Sequence, residues 1–361
     1  KYKVIILMLF ISLAIYFYTK SEKSEFNIHL TLGLCSVFIC VMSFFNYFVL
    51  RLYPIYYTLR LSLRSDYNMY SVAILTGLVC LFFCVKKQQI NQYAFYFGGF
   101  PLCSACVILS GSRRGFLFWV VICIVFFVSD IVPQKGIQSC SLGKHIAVKI
   151  GIYAVFVCMT MLIVFFTEKG LYALYDEYGS FVNSQSGVVK IENETSYSQR
   201  LGTISKGSFM TKRLVIWKEA VEEIKSFDTK SILFGKGNGY DIYMYSESTN
   251  PRLWELYDKD TNKFNLSPHN FILSDILNGG ISKAVVSFLL WVFICGELLK
   301  LLYYEKSLAF LYIIPLGMVF FGSIISGRYG FLYDKYFYIF ITLVLFRHKQ
   351  KFQTPIDNIK I

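Results

Sequence analysis

The sequence predicts an all-α polytopic membrane protein with about nine to ten transmembrane helices and one large, partly helical loop. Three observations predict it. Of the 361 residues, 55% are hydrophobic and 18% aromatic, and only 16% are charged. Soluble globular chains carry roughly a quarter charged residues, so this chain has too few to cover a water-facing surface. Apolar runs close to the ~20 residues that cross a hydrocarbon core recur from end to end. Between them, lysine and arginine fall on alternate connections, the pattern by which positive charge holds cytoplasmic loops in place.

The expected spans are 4–18, 27–50, 70–85, 93–109, 116–132, 147–167, 281–303, 308–325 and 333–346. A signal peptide would account for the first run alone. The first residue is Lys1 rather than methionine, so a missing or trimmed start is expected. Lys20 and Lys23, Lys86 and Lys87, Lys135, Lys144 and Lys149, Lys306, and Arg347, Lys349 and Lys351 mark one side as cytoplasmic. The connection 51–69 runs against this pattern, with Arg51, Arg60 and Arg64. Its Leu59, Leu61 and Leu63 alternate with polar residues, which fits an amphipathic segment resting on the membrane; the alternative is that those arginines belong to a site. The organisation is then an N-terminal transmembrane bundle (1–167), a large outer loop (168–268), and C-terminal helices with a cytoplasmic tail (269–361).

A formal net charge of +13 invites nucleic acid as a partner. No basic run with interleaved aromatics sits in a candidate soluble domain, so no nucleic-acid partner is expected. Nine of the ten cysteines fall within apolar runs, where a thiol behaves as a small hydrophobe. Cys103 and Cys106 form a CxxC without a second pair or a nearby histidine, so neither metal nor redox cofactor is expected.

Inside the loop, residues 170–207 show no sustained period, and one short helix is expected near 171–178. Asn193-Glu194-Thr195 matches a glycosylation sequon by pattern only. An amphipathic helix follows at 211–226, with Leu214, Trp217, Val221 and Ile224 at three- and four-residue steps. Ser208 or Thr211 is its expected cap. Arg213 and Trp217, four apart, share one face. Gly235, Gly237 and Gly239 lack the spacing of a phosphate-binding P-loop and mark tight turns. Of four histidines, His29 and His145 lie near the inner boundary and His348 in the basic tail. His269 alone stands where the outer loop re-enters the membrane, with Pro268 before it and Asn270 placed to orient its ring. An imidazole titrating near neutrality can take a proton from a hydroxyl or meet an anion.

The run Ser110-Gly111-Ser112-Arg113-Arg114-Gly115 sits between two spans, on the side where positive charge is least expected. Intramembrane cations are costly and are usually kept for ion paths or anionic ligands. Three segments, taken in order, resemble the O-antigen ligase/polymerase family. They are Ser-Arg-x-Gly at Ser112–Gly115, Arg-x-x-x-Trp at Arg213–Trp217 running on to the Gly-x-Gly turn, and His269-Asn270 followed by an apolar helix and Gly279-Gly280. The resemblance covers roughly 93–303. Arg114 stands where the family usually has a small residue.

This resemblance implies a multi-pass bacterial inner-membrane glycosyltransferase of the C type, with its active site facing the periplasm. The implied donor is an undecaprenyl-diphosphate-linked glycan, with no nucleotide sugar, cofactor or metal; a chain-length regulator and a flippase are the implied companions. The family's essential residues map onto Arg113, Arg213 and His269. Arg114, Ser112, Trp217, Asn270 and Arg328 are expected to contact the diphosphate or the glycan. The leaving group is already a stable anion and needs charge neutralisation, which guanidinium forks supply. His269 would then act as general base on the attacking sugar hydroxyl, and a single displacement would invert the anomeric centre. Arg113, Arg213 and His269 are expected to converge on one pocket. Arg328 and Asp334 are expected to shape the acceptor groove, and Tyr240, Tyr243, Tyr245, Trp254 and Tyr257 suit stacking on sugar rings, with anchoring at the membrane interface as the equal alternative.

A polymerase acting on lipid-linked repeat units is the favoured reading, because the chain is short and rich in aromatics. A ligase that transfers to the lipid A core is the alternative. A lipid-linked sugar transporter or flippase is the remote one, since no repeated half and no paired broken spans are visible. A non-enzymatic scaffold would be indifferent to loss of Arg213 or His269.

Overall fold

The computed structural model describes residues 2–18, 22–51, 59–63, 66–131, 139–185, 198, 201, 208–256, 266–325 and 334–353. Among these residues every regular element is a helix and no strand occurs. Among the described residues, six helices are long and apolar enough to cross a membrane: Glu25–Leu50, Tyr67–Lys86, Gln92–Leu109, Arg113–Ile131, Ile146–Leu174 and Phe271–Tyr304. Ala309–Ile324 is a shorter apolar helix. The all-α polytopic architecture expected from the sequence is present. The chain divides into two compact units, one of residues 25–205 and one of residues 1–24 with 206–361.

The first unit is built on α2 (Glu22–Phe44), which continues as a π-helical stretch, Phe45–Leu50. Then come α3 (Tyr67–Lys86), a second π-helical stretch at Phe95–Gly99 leading into α4 (Phe100–Leu109), α5 (Arg113–Ile131) and α6 (Ser139–Gln185). Helix α4 is almost wholly buried, and Phe100 stacks on Phe156 at 4.1 Å between ring centroids. Small residues let backbones approach, as membrane helix contacts require. Cys40 and Cys103 lie with their sulfurs 3.8 Å apart, buried as free thiols in this core. Asp130, a carboxylate within a span, is bonded by Lys86, Tyr96 and Tyr153, so its burial is compensated.

Two features differ from the sequence expectation. Helix α6 runs 47 residues, about 70 Å at 1.5 Å per residue. The short helix expected near 171–178 is its continuation, because buried Leu171 and Leu174 keep the helical spacing and Gly170 packs on Phe48. Residues 59–63 do not lie on a membrane surface: Leu59, Leu61 and Ser62 are buried, and the Leu61 N–H donates to the Leu109 carbonyl at 3.1 Å.

The second unit holds α1 (Tyr2–Tyr18), then α7 (Ser208–Lys225), α8 (Thr229–Phe234), α9 (Tyr240–Glu247) and α10 (Pro251–Leu256), then α11 (Phe271–Tyr304), α12 (Lys306–Ile325) and α13 (Lys335–Gln353). Helix α11 is broken at Gly280, whose φ is +66°. Asp275 meets Lys283 at 2.9 Å and accepts from Ser287 at 2.6 Å. Residues eight apart in a straight helix are about 12 Å apart along its axis, so this contact exists only because the chain turns at Gly280. Residues 271–279 therefore form a short helix of their own, and the longer apolar helix follows from Ile281. Ile216, Ala220, Phe227, Met244, Tyr245, Leu253, Leu266 and Leu277 make one apolar core that gathers α7, α9 and α10 onto that short helix.

Candidate functional site

The Ser-Arg turn is shaped by its serines. Ser112 caps α5, its hydroxyl oxygen accepting from the Gly115 N–H at 3.0 Å while its O–H donates to the Asn68 side-chain carbonyl at 2.8 Å. Gly115 is required because a Cβ there would stand 2.4 Å from Cβ of Ser71. Ser71 and Ser110 hydroxyls meet at 2.9 Å, and Ser110 takes the Ser112 N–H at 3.2 Å. Ser112 is buried with its hydroxyl engaged internally, and it fixes the two residues that follow. Arg113 and Arg114 form the first turn of α5, both half-buried. Cations at a helix N-terminus oppose the helix dipole, so this turn favours an anion beside it.

Arg60 joins the turn, a placement the sequence left as an alternative. Its Nε donates to the Ser110 carbonyl at 2.8 Å, and its guanidinium lies 3.3 Å from the centroid of the Tyr67 ring. Tyr47, in the π-helical stretch, donates to the Arg60 carbonyl at 2.8 Å. One of the three arginines that broke the charge pattern is thus stitched to the carbonyl two residues before Ser112.

In the other unit, Arg213 and Trp217 occupy successive turns of α7. The Trp217 indole N–H donates to the Pro268 carbonyl at 2.7 Å, which fastens the Arg213 helix to the residue before His269. His269 is half-buried and holds φ +52°, a left-handed conformation that L side chains adopt at a cost of roughly 1–3 kcal/mol. The Asn270 side-chain oxygen caps the short helix, accepting from the Ile272 and Leu273 N–H groups at 2.9 and 3.3 Å. His269 therefore projects from the bend between a buried proline and a helix cap.

The glycine cluster is the other half of this construction. Gly235, at φ +69°, lies against the backbone of 278–280, and Gly280 lies against the backbone of Leu233 and Phe234, so a Cβ at either would meet backbone at 2.4 Å or less. The carbonyls of Leu277 and Asn278 accept from the Lys236 and Gly237 N–H groups at 3.0 and 3.1 Å. Asn278 then reaches the start of α9, its side-chain oxygen accepting from Gly239 and Asp241 N–H at 2.9 and 3.2 Å. Two motif segments read separately in the sequence, Gly-x-Gly and Gly-Gly, are one backbone-to-backbone lock.

Several loop residues serve the loop's own packing. Tyr245 is buried and donates to the Ile216 carbonyl, so its ring offers no open face for sugar stacking, while Trp254, half-buried, donates to the Ser248 carbonyl. Tyr243 is exposed. The buried face of α7 is Ile216 and Ala220, with Leu214 and Val221 outside it, because Tyr245, Leu253 and Leu277 approach from that side. Asp334 accepts from the Tyr336 N–H at 2.9 Å and starts α13. Arg328, Arg64, Tyr257 and the Asn193 sequon lie outside the described residues, as do the side chains of Ser208 and Thr211. Among the described residues, no group of three histidine, cysteine or acidic side chains is arranged to hold a metal ion.

The glycine turn also carries the loop's clearest electrostatic cluster. Lys236 Nζ donates to Glu223 Oε1 at 2.8 Å and to the Tyr240 hydroxyl at 3.0 Å, and Tyr240 donates to the same Glu223 oxygen at 2.5 Å. Partial burial pushes the Glu223 carboxyl up, but the Lys236 and Tyr240 hydrogen bonds and the Lys236 charge outweigh it and hold it below its usual range. The Glu223 hydrogen bond raises the Lys236 ammonium above its ordinary value.

The fold is that of an all-helical multi-pass membrane protein, with arginines on the first turn of α5 and within α7 and a histidine at the bend after Pro268. Residues 98–288 match the family model described as O-antigen ligase, a stretch that holds Ser112–Gly115, Arg213–Trp217 and His269–Gly280. The chain belongs to the O-antigen ligase family, whose members are glycosyltransferase-like enzymes of ligase or polymerase type. No curated protein matches the chain. No solved structure matches it either.

Proposed function

We propose that the protein is a surface-polysaccharide polymerase that moves a glycan from undecaprenyl diphosphate to a lipid-linked repeat unit. The tie between Trp217 and the Pro268 carbonyl carries this reading, because it fastens an arginine helix to a histidine bend within one unit. In the reaction a hydroxyl of the acceptor sugar attacks the anomeric carbon of the donor. The bond from that carbon to the diphosphate oxygen breaks, and the diphosphate leaves with the electron pair. His269 takes the hydroxyl proton as general base. Arg113 and Arg213 neutralise the diphosphate, with Arg114 beside Arg113 on the same turn. One displacement inverts the anomeric centre, without a metal ion. In this reading the work is done at the periplasmic face of the inner membrane.

Transfer to the lipid A core is the second reading, favoured by the description of the matching family. Complementation of a polymer-deficient strain separates the two. Long chains restored where the strain had one repeat unit on its core support the polymerase, whereas a strain that shows a bare core and accumulating lipid-linked polymer when it loses the protein supports the ligase. Arg113→Ala, Arg213→Ala and His269→Ala are each expected to abolish the glycan ladder at normal protein levels. A full ladder from all of them would remove the mechanism.

A further inference from the structure

Helix α8 (Thr229–Phe234) ends in three consecutive apolar side chains that the fold leaves open: Ile232 at 36%, Leu233 at 45% and Phe234 at 64% exposure. Such a run in water is a liability unless something apolar covers it. Its position says what does. The backbone of Leu233 and Phe234 lies directly against Gly280, and the Lys236 and Gly237 N–H groups bond the carbonyls just before that break. Gly280 is also where α11 turns within its candidate span, and beyond it an uncovered face starts at once with Ile281, Val285, Phe288 and Leu289. The apolar surface therefore runs without interruption from the span onto α8. Polar chemistry lies on the preceding turn. Asp228 caps the helix by accepting from the Ser231 N–H at 3.0 Å, and Thr229 and Lys230 are exposed.

We propose that α8 is a membrane-dipping helix, with Ile232, Leu233 and Phe234 among the acyl chains of the leaflet that borders Gly280 and Lys230 at the lipid phosphates. A helix with an apolar face and a cationic rim seats itself in this way, its apolar side about 5–10 Å into the boundary between headgroups and chains. The occupant is bilayer lipid, which already covers the adjoining face of the span. The unit that carries Arg213 and His269 is thus moored to the membrane surface through α8 as well as through its spans.

The test is fluorescence of the full-length protein in phosphatidylcholine and phosphatidylglycerol vesicles, with and without lipid brominated in the upper half of the acyl chain. Phe234→Trp adds one emitter to the four native tryptophans, and the difference from the parent protein isolates it. The added emission is expected to be blue-shifted, reduced about twofold by the brominated lipid, and insensitive to aqueous acrylamide. Glu222→Trp, on the exposed side of α7, is expected to show the reverse and serves as the water-facing reference. A Phe234→Trp signal that follows the Glu222→Trp pattern would overturn the proposal by placing α8 in water. Protection from both quenchers would overturn it too, by showing a covering protein or second copy. Where gel filtration shows that Phe234→Trp misfolds, Leu233→Trp supplies the same readout.

Discussion

Trp217 donates its indole N–H to the Pro268 carbonyl at 2.7 Å, bridging the arginine helix to the residue that precedes His269. Trp217→Phe keeps most of the ring volume and removes one hydrogen bond, at a cost of about 1 kcal/mol. Transfer is expected to fall by about ten- to a hundredfold, because small displacements of reacting groups are costly. The comparison of melting midpoint with polymer yield in membranes checks this: a large loss of stability with unchanged specific activity would contradict it.

The two glycines of the lock differ from their neighbour in a way that can be measured. Gly280→Ala and Gly235→Ala drive a Cβ into backbone atoms and also meet a positive φ. Each is expected to destabilise the protein by more than about 4 kcal/mol, seen as loss of folded protein in detergent. Gly237 also has a positive φ but faces open space, so Gly237→Ala is expected to cost only about 1 kcal/mol.

Asp275 and Lys283 hold the elbow of α11 together with Ser287. Removing one partner leaves the other charge without its counter-ion at a largely buried carboxylate. Lys283→Met, which strands that carboxylate, is therefore expected to be more harmful than the Asp275→Ala, Lys283→Met double variant. Thermal unfolding of both variants in the same detergent decides it.

The Glu223–Lys236 pair gives the outer helices a pH window. Glu223 titrates below its usual range in the folded protein, so its contribution is fully present above the ordinary carboxylate value and is lost as the pH falls through the depressed folded value. Lys236 titrates above its ordinary value, so its contribution is complete below that value and is lost as the pH rises through the raised one. Both are intact at neutrality. Glu223→Gln is expected to flatten the acid limb of a stability–pH curve while leaving the limb near neutral pH in place.

Ser112 and Arg113 should separate stability from chemistry. Ser112→Ala loses the cap of α5 and is expected to cost about 1 kcal/mol of stability. Arg113→Ala is expected to leave the melting midpoint nearly unchanged and abolish transfer. Parallel melting curves and glycan ladders for the two variants test the division.

Much of the architecture was legible because hydropathy alone marks membrane spans, and the all-α polytopic class followed from it. The ends of spans were harder. Helix α6 has no breaker at the membrane boundary, so nothing local signals that it continues to Gln185. Periodicity found α7 but put Leu214 and Val221 on its buried face, since the true face is chosen by Tyr245, Leu253 and Leu277 from other segments. Arg213, Trp217 and His269 stood out by residue type and spacing. The tie through Pro268, the role of Asn278 and the attachment of Arg60 to Ser110 are tertiary contacts, which no local pattern announces.

The seating of Gly235 on Gly280 also bears on biosynthesis. Helices α7 to α10 leave the ribosome before Leu266, Leu277 and Gly280, yet their shared core needs the first two and their latch the third. Until translation passes that point, the nascent segment carries an unfilled apolar interior. Its maturation is tied to insertion of the span that follows, and a chain truncated ahead of Gly280 would be a substrate for quality-control proteases.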